Sequence, residues 1–155
     1  MLAATRERVA INTSEEVNQQ IRQRTERSIM ESIARGPDAI ECRLDELDRE
    51  WDIERVLETM APTITLVGLV LGITKSRKWL FLSAFVQSFF LQHALQGWCP
   101  PVPVLRRLGF RTADEINEER YALKALRGDF KKLASSRKKV ASDGRVVDAL
   151  AAVRG

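Results

Sequence analysis

Three side chains carry most of this chain's capacity for nucleophilic or metal chemistry: Cys42, His93 and Cys99. A thiol becomes a nucleophile when a nearby cation, a helix N-terminus or a general base helps it ionise. Cys99 stands in LQHALQGWCPPVP, residues 91–103, after what reads as the C-terminal end of a helix, where the helix dipole disfavours a thiolate. His93, the only histidine, precedes it by six residues. On an uninterrupted helix that spacing sets the two about 120° apart around the axis, so they meet only if the turn folds back. There is no C-x-x-C, H-E-x-x-H, G-x-S-x-G or glycine-rich phosphate loop. Glu58 is the one acid near the apolar centre of the chain, and it reads as an interface residue beside Arg55. The expectation is therefore no catalytic, cofactor-binding or metal residue, with Cys99 packed as a small apolar turn residue and His93 bonding between helices.

The elements around these residues read as helices throughout. Thr13 and Glu16 have the spacing of a capping box, and Val17, Ile21, Ile29 and Ile33 line one helix face. Gly36-Pro37 ends that helix and begins another, since glycine suits the position after a helix and proline the first turn. Ile40, Leu44, Leu47 and Trp51 form a heptad-like seam, and no breaker is evident between it and the apolar stretch that follows. A second capping box at Thr112 and Glu115 opens a helix with Ile116, Leu123, Leu126, Phe130 and Leu133 on its seam. Gly128 weakens this helix without having to end it. The similar seams suggest that the two charged arms pack together.

Between the arms, charge almost disappears. Val56–Ile73 would span roughly 27 Å as a helix, and Trp79–Trp98 about 30 Å, close to the thickness of a hydrocarbon core. The short TKSRK loop joins them, and tryptophan stands at both ends of the second segment, as suits headgroup depth. Ala61, Thr65, Gly68 and Gly72 form a stripe of small residues on the first segment. Ala84, Ser88, Gln92 and Gln96 form a small and polar stripe on the second. Helices in lipid associate where small side chains let backbones approach and where amides are turned away from lipid. These stripes predict a packed helical hairpin and a homodimer of hairpins. Gly97, Trp98, Cys99 and Pro100 form the membrane-exit turn, and the prolines at 100, 101 and 103 stop the helix from continuing.

The fold class expected is all-α: a transmembrane helical hairpin, residues 53–109, flanked by amphipathic helical arms at 1–52 and 110–155. The formal net charge is +4, with a late basic cluster of Lys131, Lys132, Arg137, Lys138 and Lys139. Such a cluster suits an anionic lipid surface; with no interleaved aromatics beyond Phe130, nucleic acid is the weaker partner. Two cysteines in unlike surroundings do not make a disulfide scaffold. The flanking arginines and the lack of a secretory run at the N-terminus favour cytoplasmic arms, although Lys75, Arg77 and Lys78 in the loop pull the other way.

From about Ile53 to Gly109 the chain resembles the YgaP-like transmembrane domain family. The resemblance is carried by IERVLETMAPTITLVGLVLGI and WLFLSAFVQSFFLQHALQGWCPPVPVLRRLG, above all by Gly97, Cys99, Pro100, Leu105 and Leu108-Gly109. It implies a self-associating two-helix unit in a bacterial inner membrane, in some members anchoring a rhodanese. No rhodanese active-site loop is present here, since Cys42 lies in the helical pattern ECRLDEL. The leading expectation is thus a small inner-membrane scaffold or partner-binding module. The alternatives are a soluble or peripheral all-α protein that binds anionic lipid or nucleic acid through its basic C-terminal helix, and a membrane thiol protein that uses Cys99 in sulfur handling.

Overall fold

The computed structural model describes residue 4, residues 7–131 and residue 149. Among these, all regular structure is helical: α1 (Arg8–Ile11), α2 (Glu15–Arg35), α3 (Pro37–Arg49), α4 (Ile53–Thr74), a 3-10 turn (Arg77–Trp79), α5 (Leu80–Gln96), α6 (Val102–Arg107) and α7 (Ala113–Arg127). Packing divides the chain into two units, and the division is not linear. Met1–Gln23 belongs with Trp51–Asp114, while Arg24–Glu50 belongs with Glu115–Gly155.

The first unit is built on α4 and α5, which run antiparallel. Ser83 of α5 donates its hydroxyl to the carbonyl of Thr65 at 3.0 Å, and the Gln87 amide donates to the Thr65 hydroxyl at 2.8 Å. The two helices approach closely because Gly68 and Gly72 lack a side chain. A Cβ on Gly68 would overlap the Ser83 hydroxyl, and one on Gly72 would press into the Leu80 side chain. At one end of the pair, Val9, Ile53, Val56, Leu57, Cys99, Val102 and Leu105 form a buried core flanked by Phe89, Phe90 and Phe110.

The second unit packs α3 and α7 with the later turns of α2. Its core is Ile40, Leu44 and Leu47 from α3 against Ile116 and Leu123 from α7, with Ile29 beside them. The two sequence seams do meet, over fewer residues than expected. Trp51 lies beyond α3, 44% exposed, with the Arg55 guanidinium 4.4 Å from its ring centroid. Leu126 is exposed, and Leu133 lies outside the described residues.

Three local expectations are corrected. Helix α3 does not run on into α4: Asp52, in extended conformation, caps α4 by accepting the Arg55 backbone N–H at 2.7 Å. Thr13 closes α1 rather than opening α2, because its hydroxyl donates to the Val9 carbonyl at 2.8 Å. Gly128, at φ 94°, ends α7, with its N–H returning to the Lys124 carbonyl. The Gly36-Pro37 boundary falls where expected, with Gly36 at φ 100° and Pro37 opening α3. Because the Asp52 carboxylate satisfies an otherwise orphaned donor, Asp52→Ala should lower stability by about 1 kcal/mol. Asp52→Asn should cost clearly less, and thermal denaturation of the two variants checks the difference.

Candidate functional site

The buried end of the first unit gathers the chain's polar chemistry. Helix α5 ends at Gln96 because Gly97 takes the left-handed conformation, φ 75°, and donates its N–H to the His93 carbonyl at 2.7 Å. That reversal carries Trp98 toward Phe89, with ring centroids 6.3 Å apart, and turns Cys99 back into the core. The fold-back that the His93–Cys99 spacing required is therefore made by one glycine.

His93 is buried on α5, and its Nε2 lies 2.7 Å from Oε2 of Glu54 on α4. The other carboxylate oxygen of Glu54 accepts from the Arg8 guanidinium at 3.1 Å. Arg8 also donates to the Ala94 carbonyl at 3.0 Å, and Asn12 donates to the Gln96 carbonyl at 2.8 Å. Helix α1 is thus tied to the last turn of α5, with Val9 buried beneath it. The Cys99 thiol is the other side-chain neighbour of the His93 ring. Nδ1 of that ring is buried and makes no geometrically complete hydrogen bond among the described residues.

Cys99 also forms part of the wall of a cavity of about 180 Å³. Leu57, Ile64, Phe85, Phe90 and Pro101 are among its lining residues, and the lining is almost entirely apolar. The arrangement is a carboxylate and an imidazole in contact, with a buried thiol on the wall of a neighbouring apolar space. Among the described residues no group of three or more His, Cys, Asp or Glu is placed to hold a metal ion.

The expected site residues are placed as follows. Ala61, Gly68 and Gly72 are buried on the face of α4 that meets α5, with Thr65 partly so. Ala84, Ser88 and Gln96 are exposed and Gln92 is partly buried. The face of α5 turned to α4 instead carries Ser83, Gln87 and His93, one step around from the stripe read in the sequence. Gly97 and Cys99 are buried, Trp98 is half-buried and Pro100 exposed. Of the basic cluster, Lys131 is exposed, and Lys132, Arg137, Lys138 and Lys139 lie outside the described residues. Sequence reasoning missed Arg8, Glu54 and Ser83, and singled out Glu58, which is exposed.

In the second unit, Glu119 is fully buried and accepts from Arg43 Nε at 2.8 Å and from the Ser28 hydroxyl at 2.6 Å. Hydrogen bonding to Glu119, aided by Glu46 and Glu50, holds the Arg43 guanidinium protonated well above its ordinary range, against the opposing effect of burial.

Fold and site together define an all-helical protein with an antiparallel helix pair, a buried His93 bonded to Glu54 at one end of that pair, and the buried Cys99 in the core there. Comparison with protein-family models, curated proteins and solved structures finds no match to this chain.

Proposed function

We propose that this chain is an integral membrane protein whose α4–α5 pair inserts as a helical hairpin, with the remaining charged helices serving as an aqueous partner-binding module. The observation that carries this is an inverted distribution of polarity around the pair. Leu66, Val70, Ile73, Phe81, Phe85 and Leu91 are exposed, Ile73 by 84% and Phe81 by 78%. The hydroxyl of Ser83 and the amide of Gln87 meanwhile bond inward to Thr65. A soluble helix pair places these groups the other way round, and so large an apolar surface in water is a liability. In lipid, small and polar side chains belong between helices and apolar ones outside.

The stretch Pro37–Thr74, which contains α4, has the one window among the described residues that is long and apolar enough to cross a membrane. The mean hydropathy of that 18-residue window is 1.8, and 22% of it is buried. Helix α5, with 17 residues, is about 26 Å long and falls short of a core of about 30 Å by itself. Trp79 of the 3-10 turn before it adds roughly 2 Å, and the cations Arg77 and Lys78 lie just beyond. A bacterial inner membrane with both termini cytoplasmic is the location that the flanking charges and the YgaP-like resemblance favour.

Fractionation tests this directly. After a sodium carbonate wash, the full chain should stay with the membrane pellet and require detergent for release. Quantitative recovery in the carbonate supernatant would overturn the proposal in favour of a soluble or peripheral helical protein.

A further inference from the structure

We infer that the loop end of the α4–α5 hairpin is a docking surface for anionic phospholipid headgroups, with Lys75, Arg77 and Lys78 meeting the phosphate charge and the apolar side chains beside them meeting the acyl region. This rests on the membrane reading and names the lipid that this end of the hairpin selects. Two independent observations meet here. One is charge without a counterpart. Between Glu58 and Asp114 the sequence holds no acidic residue. Glu58 itself lies about 25 Å before Lys75 along the axis of α4, too far to form an ion pair. All three cations are exposed, and none has an ion pair or a side-chain hydrogen bond among the described residues.

The turn that carries them is tight. The N–H groups of Lys75 and Ser76 both return to the Leu71 carbonyl, at 2.8 and 3.1 Å, and the Trp79 N–H donates to the Ser76 carbonyl at 3.0 Å. Like charges are therefore held close together by the backbone, and an external anion is what offsets their repulsion. Arg77 can grip a phosphate through two N–H donors, while Lys75 and Lys78 add point charges.

The other observation is what surrounds the charges. Ile73 precedes them and Trp79, Leu80 and Phe81 follow, all exposed. A basic cluster set directly against exposed hydrocarbon and an exposed tryptophan matches a bilayer interface, where phosphate and acyl chain adjoin. Nucleic acid would cover the charges and leave the apolar side chains in water. A zwitterionic headgroup would suit the apolar side chains and leave the excess positive charge uncompensated.

The test uses the full-length chain carrying Trp51→Phe and Trp98→Phe, so that Trp79 is the sole tryptophan and reports on this end of the hairpin. The chain is reconstituted into phosphatidylcholine vesicles that hold a minor fraction of phosphatidylglycerol in both leaflets. Either the phosphatidylglycerol or an equal amount of the phosphatidylcholine is brominated near the headgroup end of its acyl chains. Per molecule, brominated phosphatidylglycerol should quench Trp79 at least about fivefold more than brominated phosphatidylcholine, the factor that one Lys or Arg near an anionic surface supplies. The excess should shrink in molar salt. It should vanish when Lys75→Gln, Arg77→Gln and Lys78→Gln are combined, a variant that breaks no side-chain contact among the described residues. Equal quenching by the two lipids overturns the proposal and leaves the membrane reading standing, because Trp79 then lies in the bilayer without selecting its lipid. An excess that survives the triple replacement does the same. Quenching by neither lipid overturns the membrane reading and this proposal with it.

Discussion

Glu119→Ala should loosen the second unit by about 3 kcal/mol, the scale of a buried pair that loses one partner. The carboxylate is fully buried, and both of its oxygens are engaged by Arg43, Oε1 at 2.8 Å and Oε2 at 3.2 Å. Removing it leaves the guanidinium facing the Ile116–Leu123 face of α7, with Glu46, at 2.8 Å, and Glu50, at 3.8 Å, as its remaining acidic neighbours among the described residues. It also leaves the Ser28 hydroxyl without its acceptor. The expected result is roughly a hundredfold loss of hydrogen-exchange protection in α3 and α7, read on the full chain. Glu119→Gln keeps an acceptor for Ser28 and should lose less. A double replacement, Arg43→Met with Glu119→Leu, should recover much of the loss, since apolar packing of similar volume often equals or exceeds a buried ion pair. Unchanged protection in Glu119→Ala would show that the buried pair does not hold this unit together.

Why such features escape a reading of the sequence is clear from the same residue. Glu119 follows Ile116 by three and precedes Leu123 by four, so it occupies a seam position and reads there as a gap. A charged residue on a seam is the available signal, but its partner, Arg43, is 76 positions away and periodicity cannot supply it. The cluster at Cys99 shows the same limit, because Glu54 and His93 are 39 positions apart and meet only through the antiparallel pairing of α4 and α5. The helices themselves were legible because amphipathic spacing and glycine–proline punctuation are local. So was the stripe on α4, where Ala61, Gly68 and Gly72 are the small residues of an otherwise bulky helix. Helix α5 is apolar on nearly every face, so its pattern does not select a direction. The face turned inward is chosen by Ser83 and Gln87 finding Thr65. The break at Glu50–Asp52 was missed for a different reason: an aspartate inside a charged run is inconspicuous until its carboxylate is seen to cap α4.

Gly97→Ala should disrupt the first unit by about 3 kcal/mol, and comparison with Gly36→Ala separates the two causes. Both glycines have positive φ, 75° and 100°, a region that costs a residue bearing a Cβ roughly 1–2 kcal/mol. Nothing lies within 4 Å of a Cβ built on Gly36, so its replacement should cost that strain alone. A Cβ on Gly97 would in addition overlap the carbonyl of Arg8, backbone that cannot swing aside as a side-chain tip can. Overpacking of this kind typically costs about 1–3 kcal/mol more. The displaced element is α1, so the loss should be specific: the bonds from Arg8 to Glu54 and Ala94, and from Asn12 to Gln96, should go together. Limited proteolysis should then cut the chain ahead of α2 faster in Gly97→Ala and at the native rate in Gly36→Ala. Alkylation of Cys99 should rise in the first variant, because Val9 and the turn that carries the thiol share one core. If both variants lose the same stability and keep the native cleavage rate, then the close approach of α1 to Gly97 does not seal this end of the helix pair.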